Sequence, residues 1–264
     1  MQDLAHRQQA RTVGLTDTMA RPGLLARGVM RLVAAAERLN LAYAEGGSPP
    51  VYDTDAFPWA RRVEAEWRAI RAELEAVLAR KGELPAFHEI SAEVRSISAD
   101  RDWKTFFLCG YGIVSEEAVR QCPETWRILQ NIPGLKSAMF SIFEPGKHLP
   151  PHRGPYNGVL RFHLGLIVPD APEKIGIRVA DRVCHWREGE ALIFDDAYEH
   201  EAWNHSDAVR VVLFVDFEKP TRFPASLTNK LVLRLALFTP FIREGYEAHK
   251  AWEKLFYGAG AARH

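Results

Sequence analysis

Ten histidines are spread through the 264 residues, and two of them sit in unusual company. His152 lies in Lys147-His-Leu-Pro-Pro-His-Arg-Gly-Pro155, a Pro- and Gly-rich loop leading into a strand-like stretch that carries Arg161 and His163. His200 lies in Phe194-Asp-Asp-Ala-Tyr-Glu-His-Glu-Ala-Trp-Asn204, a polar loop between two further strand-like runs. Neutral imidazoles delivered from separate loops of a β-scaffold are donors that suit Fe(II), Zn or Mn. A lone loop histidine needs no such explanation, since hydrogen bonding or solvation accounts for it. The residues around these two do need one. Arg161 and His163 are two apart and so share a strand face. Arg210 heads a run that continues Val-Val-Leu-Phe-Val, where an inward charge is costly unless it meets an anion. Ser141 sits inside Phe140-Ser-Ile-Phe143. Two arginines, a hydroxyl and a third imidazole beside two metal donors suit a small dicarboxylate.

The elements that must position these groups read as mainly β with flanking helices. Trp103–Cys109, Ala138–Phe143, Gly158–Val168, Ile175–Val179, Glu190–Phe194 and Val209–Asp216 are short, aromatic or β-branched, and separated by turn residues. Strands recurring without intervening helices predict an antiparallel sandwich or jelly roll. Helical spacing marks Leu24 to Tyr43, with Arg27, Arg31 and Arg38 interspersed, and Trp59 to Lys81, with Val63, Trp67, Ile70, Leu74 and Leu78 as its buried stripe. A short helix follows Ser115, and two more cover Leu227 to Phe238 and Glu244 to Phe256. The expected organisation is an N-terminal region over 1–50, mobile at first and then an amphipathic helix. A single domain over 51–264 follows, with its β core at about 103–220 and flanking helices at 59–81 and 227–256.

Composition narrows the partners. Lys and Arg number 34, as do Asp and Glu, so the basic excess that a nucleic-acid binder needs is missing. Cys109, Cys122 and Cys184 form no Cys-x-x-Cys pair and predict neither disulfides nor a thiolate metal site, as in a reducing cytoplasm. The best apolar run, Leu231 to Phe238, is broken by Arg234 and closed by Pro240, too short to span a bilayer. The N-terminus does not read as a signal peptide. Cys122 reads as structural, Gly110-Tyr-Gly112 as a turn, and His148, His185 and His205 as rim or surface residues.

Three stretches, His152 to Pro169, Trp186 to Glu190 and Phe194 to Asn204, resemble in order the motifs of the aspartyl/asparaginyl β-hydroxylases. The resemblance covers about Trp103 to Pro220. It implies an Fe(II)- and 2-oxoglutarate-dependent dioxygenase, with O2 as second cosubstrate, on a double-stranded β-helix, a cupin-like jelly roll. It also implies hydroxylation of an unactivated C–H bond. Carried onto this chain, it makes His152 and His200 the catalytic metal ligands. It places Arg161 and His163 at the 1-carboxylate end of 2-oxoglutarate, and Ser141 and Arg210 at the distal carboxylate. The wider superfamily has a carboxylate two residues after its first histidine; here that residue is Gly154, and water fills the position. Asp195 or Asp196 is the alternative source of a carboxylate, with orientation of a histidine the preferred role for either. Members acting on Asp or Asn side chains carry an Arg two residues before Arg161, where this chain has Val159. The family also includes bacterial relatives that hydroxylate lipid acyl chains. The prime substrate is therefore a peptide or amino-acid side chain, or a membrane-lipid acyl chain. The flanking helices suit peripheral contact with the inner membrane face, or packing in a homodimer. A non-catalytic cupin-like binder of metal and dicarboxylate, and a zinc hydrolase, are the rival readings.

Overall fold

The computed structural model describes residues 24–236 and 240–261. Eleven strands form two antiparallel sheets among these residues. The larger has the order β1 (Val51–Tyr52), β9 (Ala191–Phe194), β6 (Val159–Ile167), β11 (Arg210–Glu218), β4 (Leu135–Phe143), β2 (Trp103–Gly110), β3 (Ile113–Val114). The smaller has the order β5 (His148–His152), β10 (His200–Asn204), β7 (Ile175–Val179), β8 (Arg182–Cys184). The expected jelly-roll architecture is the one observed.

Side-chain parity sorts the large sheet into two faces. Leu160, Phe162 and Leu164 of β6, Leu213, Val215 and Phe217 of β11, and Phe140 and Ile142 of β4 belong to one buried cluster. Against it pack α2 (Pro58–Ala65), α3 (Trp67–Leu78), α5 (Glu116–Gln121) and α6 (Pro123–Leu129) through Trp59, Val63, Ile70, Leu74, Ala118 and Ile128. The alternate residues face the small sheet, where Met139, Phe143, Val212 and Phe214 meet Leu149, Ile177, Val179 and Ala202. Both faces are buried, so the central strands read as near-continuous apolar runs. The polar exceptions on the inner face, Ser141, Arg161, His163 and Arg210, stand out for that reason.

Three local features differ from expectation. Residues 148–152 and 200–204 are strands rather than loops. β5 is an edge strand, which tolerates Pro150 and Pro151, and β10 alternates buried His200, Ala202 and Asn204 with half-buried Glu201 and Trp203. The helix expected over 59–81 leaves helical geometry at Glu66, whose backbone N–H donates to the Val63 carbonyl, and restarts at Trp67. α1 (Leu24–Tyr43), α4 (Phe87–Ile90), α7 (Ala225–Ala236) and α8 (Pro240–Ala261) complete the frame. The mobility expected for the first residues falls on 1–23, outside the described residues. No helix among the described residues is long and apolar enough to cross a membrane.

Asp195 and Lys219 form a buried ion pair, Nζ to Oδ2 2.8 Å, with both side chains 1% exposed. It pins the end of β9 to the chain just beyond β11. Removing one partner of such a pair strands the other charge and costs roughly 3–5 kcal/mol. Lys219→Met should lower unfolding free energy by about that amount in urea titrations, and Lys219→Met with Asp195→Leu should recover most of it. Equal losses in the single and double variants would remove the pair from this role.

Candidate active site

His152 ends β5 and His200 opens β10, and the two are register partners across the small sheet. Their ring centroids are 4.2 Å apart. Each ring is held by its own backbone: His152 Nδ1 lies 2.8 Å from the Pro150 carbonyl and His200 Nδ1 2.9 Å from the Tyr198 carbonyl. A carbonyl accepts, so Nδ1 carries the proton and Nε2 presents its lone pair, the tautomer a metal requires. Burial pushes the His152 imidazole down to about 4, helped by nearby Arg161. His200 falls well below the ordinary imidazole range through burial, then His152 and Arg161. Both rings are therefore neutral donors at physiological pH, and this pair fits a soft-to-borderline divalent ion. No third His, Cys, Asp or Glu joins them in a group able to hold one metal ion among the described residues.

Position 154 explains part of that. A Cβ on Gly154 would land inside the Asp196 carboxylate, and the Gly154 N–H donates to the Asp196 carbonyl at 2.8 Å. The space beside His152 that a side chain at 154 would use is thus filled by Asp196 from across the site. Asp196 Oδ2 meets Arg161 at 2.9 Å, while its buried Oδ1 has no hydrogen-bond partner. Burial raises the Asp196 carboxyl above the usual range; Arg161 opposes this, and Asp216 and Asp195 add to it. Arg161 also bonds Asp216 through Nε at 2.9 Å and lies over the Phe214 ring. The family resemblance implies a cosubstrate carboxylate at Arg161; in the structure two protein carboxylates already flank it. Asp195, the other candidate to orient a histidine, is instead tied to Lys219.

Arg210 is different. It is 1% exposed, sandwiched between the Phe143 ring at 3.7 Å and the Trp186 ring at 4.4 Å. Its hydrogen bond to protein is a long one, 3.5 Å to the Ser141 carbonyl, and its Nε has no partner. No carboxylate forms an ion pair with it among the described residues, and burial pushes the guanidinium down to about 9. Around it, Trp186 Nε1 and both ring nitrogens of His163 are buried without partners, and Trp103 Nε1 donates to Ser141 Oγ at 3.0 Å. The Phe194 ring separates His163 from His200, with centroids at 5.1 and 5.7 Å. The structure thus joins Ser141, His163 and Arg210 into one polar wall, one ring away from the imidazole pair. Trp103 and Trp186 belong to that wall, and sequence gives neither a site role, although Trp103 opens a strand and Trp186 opens one of the three motif stretches.

A cavity of about 240 Å³ reaches His152 of the imidazole pair. His152, Gly154, Arg161 and Asp196 line its inner end, and Phe87, Ile90, Val94, Ile97, Phe107, Ile113, Met139 and Val159 line the rest. α8 lies along it through Gly245 and His249. His249 Nε2 is 3.2 Å from Glu253, which also accepts from Ser115. The structure keeps His148, His185 and His205 out of the site: His148 meets Glu201, His185 meets the Ile175 carbonyl, and His205 sits against His148 and Trp203. Cys109 and Cys122 are buried, their thiols pushed up to about 12, and are unreactive for that reason.

The family model described as Aspartyl/Asparaginyl beta-hydroxylase matches residues 64–220. Ornithine lipid ester-linked acyl 2-hydroxylase of Rhizobium tropici is 60% identical over 261 residues, 99% of this chain and 92% of that protein. Human aspartyl/asparaginyl beta-hydroxylase is 35% identical over 169 residues, 62% of this chain, but the match spans only 21% of the human protein. Among solved structures, a Pseudomonas putida prolyl-4-hydroxylase aligns over 72% of this chain and 99% of its own, with TM-score 0.41 and 16% identity. With the matched segment running from α2 to the end of the β core and carrying both paired histidines, the chain belongs to the aspartyl/asparaginyl β-hydroxylase family.

Proposed function

We propose that the protein is an Fe(II)- and 2-oxoglutarate-dependent hydroxylase whose prime substrate is the acyl chain of a membrane lipid. The observation that carries the cosubstrate is Arg210. A buried guanidinium stacked between two rings, with unpartnered indole and imidazole nitrogens beside it, fits a carboxylate arriving with the cosubstrate. His152 and His200 would hold the iron through Nε2, oriented by their Nδ1 bonds to the Pro150 and Tyr198 carbonyls. When bound, the iron and its cosubstrates supply the oxidising power for an unreactive C–H bond.

The chain's own residues do the rest. Arg210 neutralises the distal carboxylate, and Ser141, fixed by Trp103, borders it. Arg161 and His163, on one face of β6, reach the near end. Arg161 already shares its charge with Asp196 and Asp216, so Arg210 supplies most of the attraction for a dianion. His163 is held neutral, well below the ordinary imidazole range, by burial and by Arg161 and Arg210, and so donates or accepts without adding charge. The apolar cavity excludes water and lays the substrate against His152.

The acyl chain is favoured over an Asp or Asn side chain by that cavity. Val159 lines it at the position where relatives acting on such side chains carry an arginine, leaving an apolar wall. The 60% identical relative is named for acyl 2-hydroxylation of ornithine lipid. Purified protein with Fe(II), 2-oxoglutarate and O2 should form succinate stoichiometrically with a hydroxylated ornithine lipid, and far less with an Asp-containing peptide. Succinate without lipid oxidation, or a preference for the peptide, would overturn the substrate reading. His152→Ala should lose iron, measured by elemental analysis, and turnover together.

Replacing Arg210 by Gln keeps a donor but removes the charge, and a charged hydrogen bond is worth roughly 1.5–3 kcal/mol. The KM for 2-oxoglutarate should therefore rise about 10- to 100-fold; an unchanged value would remove Arg210 from the cosubstrate site. Acid should destabilise the metal-free protein. Above the ordinary imidazole pKa of 6.5, folded and unfolded chains both hold His152 neutral. Below it the unfolded chain takes up a proton that the folded one refuses until about pH 4, so stability falls across that window. His152 alone contributes at most about 3 kcal/mol to that fall, and His200 and His163 act in the same direction. Thermal melts of chelated protein should show a lower Tm at pH 5 than at pH 7, and His152→Gln should flatten the dependence.

A further inference from the structure

α7 is apolar on the wrong side. Ala225, Asn229 and Leu233, four residues apart, are its buried face. Leu227, Leu231 and Leu235 follow the same step about half a turn away and point to solvent, with Phe223 one step earlier. A surface helix normally presents charged or polar groups there. α1 packs beside it: Ala44 bridges Thr221, and the Arg222 N–H donates to the Tyr43 carbonyl. α1 buries Ala36 and Asn40 and exposes Val29, Met30 and Leu32. All seven outward apolar side chains are 45–75% exposed.

The charge on this face is predominantly positive. α7 carries exposed Lys230 and Arg234 and no acidic residue. α1 carries exposed Arg27, Arg31 and Arg38 against Glu37 alone. A chain with 34 cations and 34 acids has placed cations among exposed leucines here. Apolar side chains ringed by Lys and Arg are the composition of a surface that settles into an anionic lipid headgroup layer.

The helix pair is also built onto the rim of the cavity. Asn40 of α1 donates to the Tyr156 hydroxyl at 3.0 Å, and that hydroxyl donates to Asn229 of α7 at 2.9 Å. Asn40 also reaches Asn157, and Asn229 donates to the Gly158 carbonyl at 2.9 Å. A Cβ on Gly158 would strike Asn229, so the approach requires glycine. Tyr156, Pro155 and Gly154 line the cavity that contains His152. The outward face and the loop that follows His152 are thus joined through Tyr156, Asn157 and Gly158.

We propose that the α1–α7 face is a membrane-docking surface for an anionic phospholipid bilayer, seating the cavity rim at the headgroup layer. This deepens the lipid-hydroxylase reading by naming where its substrate enters; the docking itself is measured without turnover, so either claim can fail alone. Full-length protein should co-sediment with phosphatidylglycerol-rich vesicles, bind phosphatidylcholine vesicles at least tenfold more weakly, and be released by salt. The variant Leu227→Ser/Leu231→Ser/Leu235→Ser and the variant Arg31→Glu/Lys230→Glu/Arg234→Glu should each lose about tenfold or more in vesicle binding. Both should keep their Tm, iron content and turnover of detergent-dispersed lipid. Equal binding to both vesicle types, or variants that bind like the parent, would overturn the proposal. So would a parent dimer that the leucine variant converts to monomer, since a second copy would then own the face. Vesicle binding that survives alongside absent lipid turnover would leave docking standing and remove the substrate reading.

Discussion

Burying a charge between two apolar layers is costly unless an opposite charge comes with it, and the interior of this sandwich is arranged around that cost. Lys219 is balanced by Asp195, and Arg161 by Asp196 and Asp216. Arg210 breaks the pattern, with aromatic faces where a carboxylate would be expected. The sheet order follows the same need. β11 lies between β6 and β4, so Arg210, Arg161, His163 and Ser141 come from adjacent strands onto one inner face.

The small sheet has a different task, which is geometric. It brings two imidazoles from distant parts of the chain into register, and their own backbone carbonyls choose the tautomer. A ring fixed in this way needs no second carboxylate to orient it. That leaves Asp195 and Asp196 to serve the charge balance of the neighbouring cations instead.

Much of the fold was legible in sequence because each central strand has a strong, short apolar signature. The charged and polar exceptions within those strands were legible for the same reason: Arg210 among valines and Ser141 among phenylalanines are conspicuous. The strands carrying His152 and His200 were hidden, since two prolines mark a loop in most contexts and become acceptable only once β5 is known to lie at an edge. The pairing of Arg161 with Asp216 was hidden too. It crosses from β6 to β11, and no local pattern specifies which aspartate a given arginine meets. Trp103 and Trp186 look like ordinary core aromatics until their N–H groups are placed beside Ser141 and Arg210.

The contact between Gly154 and Asp196 bears on how such a site can diverge. Gly154→Asp, which would add a carboxylate beside His152, would press it into the volume and the negative charge of Asp196. It would also disturb the Arg161 pair that Asp196 completes. Position 154 therefore depends on position 196, since it admits a side chain only once Asp196 has moved or changed. Packing and charge at Asp196 thus close position 154 to a carboxylate, whatever a ligand beside His152 would gain from one.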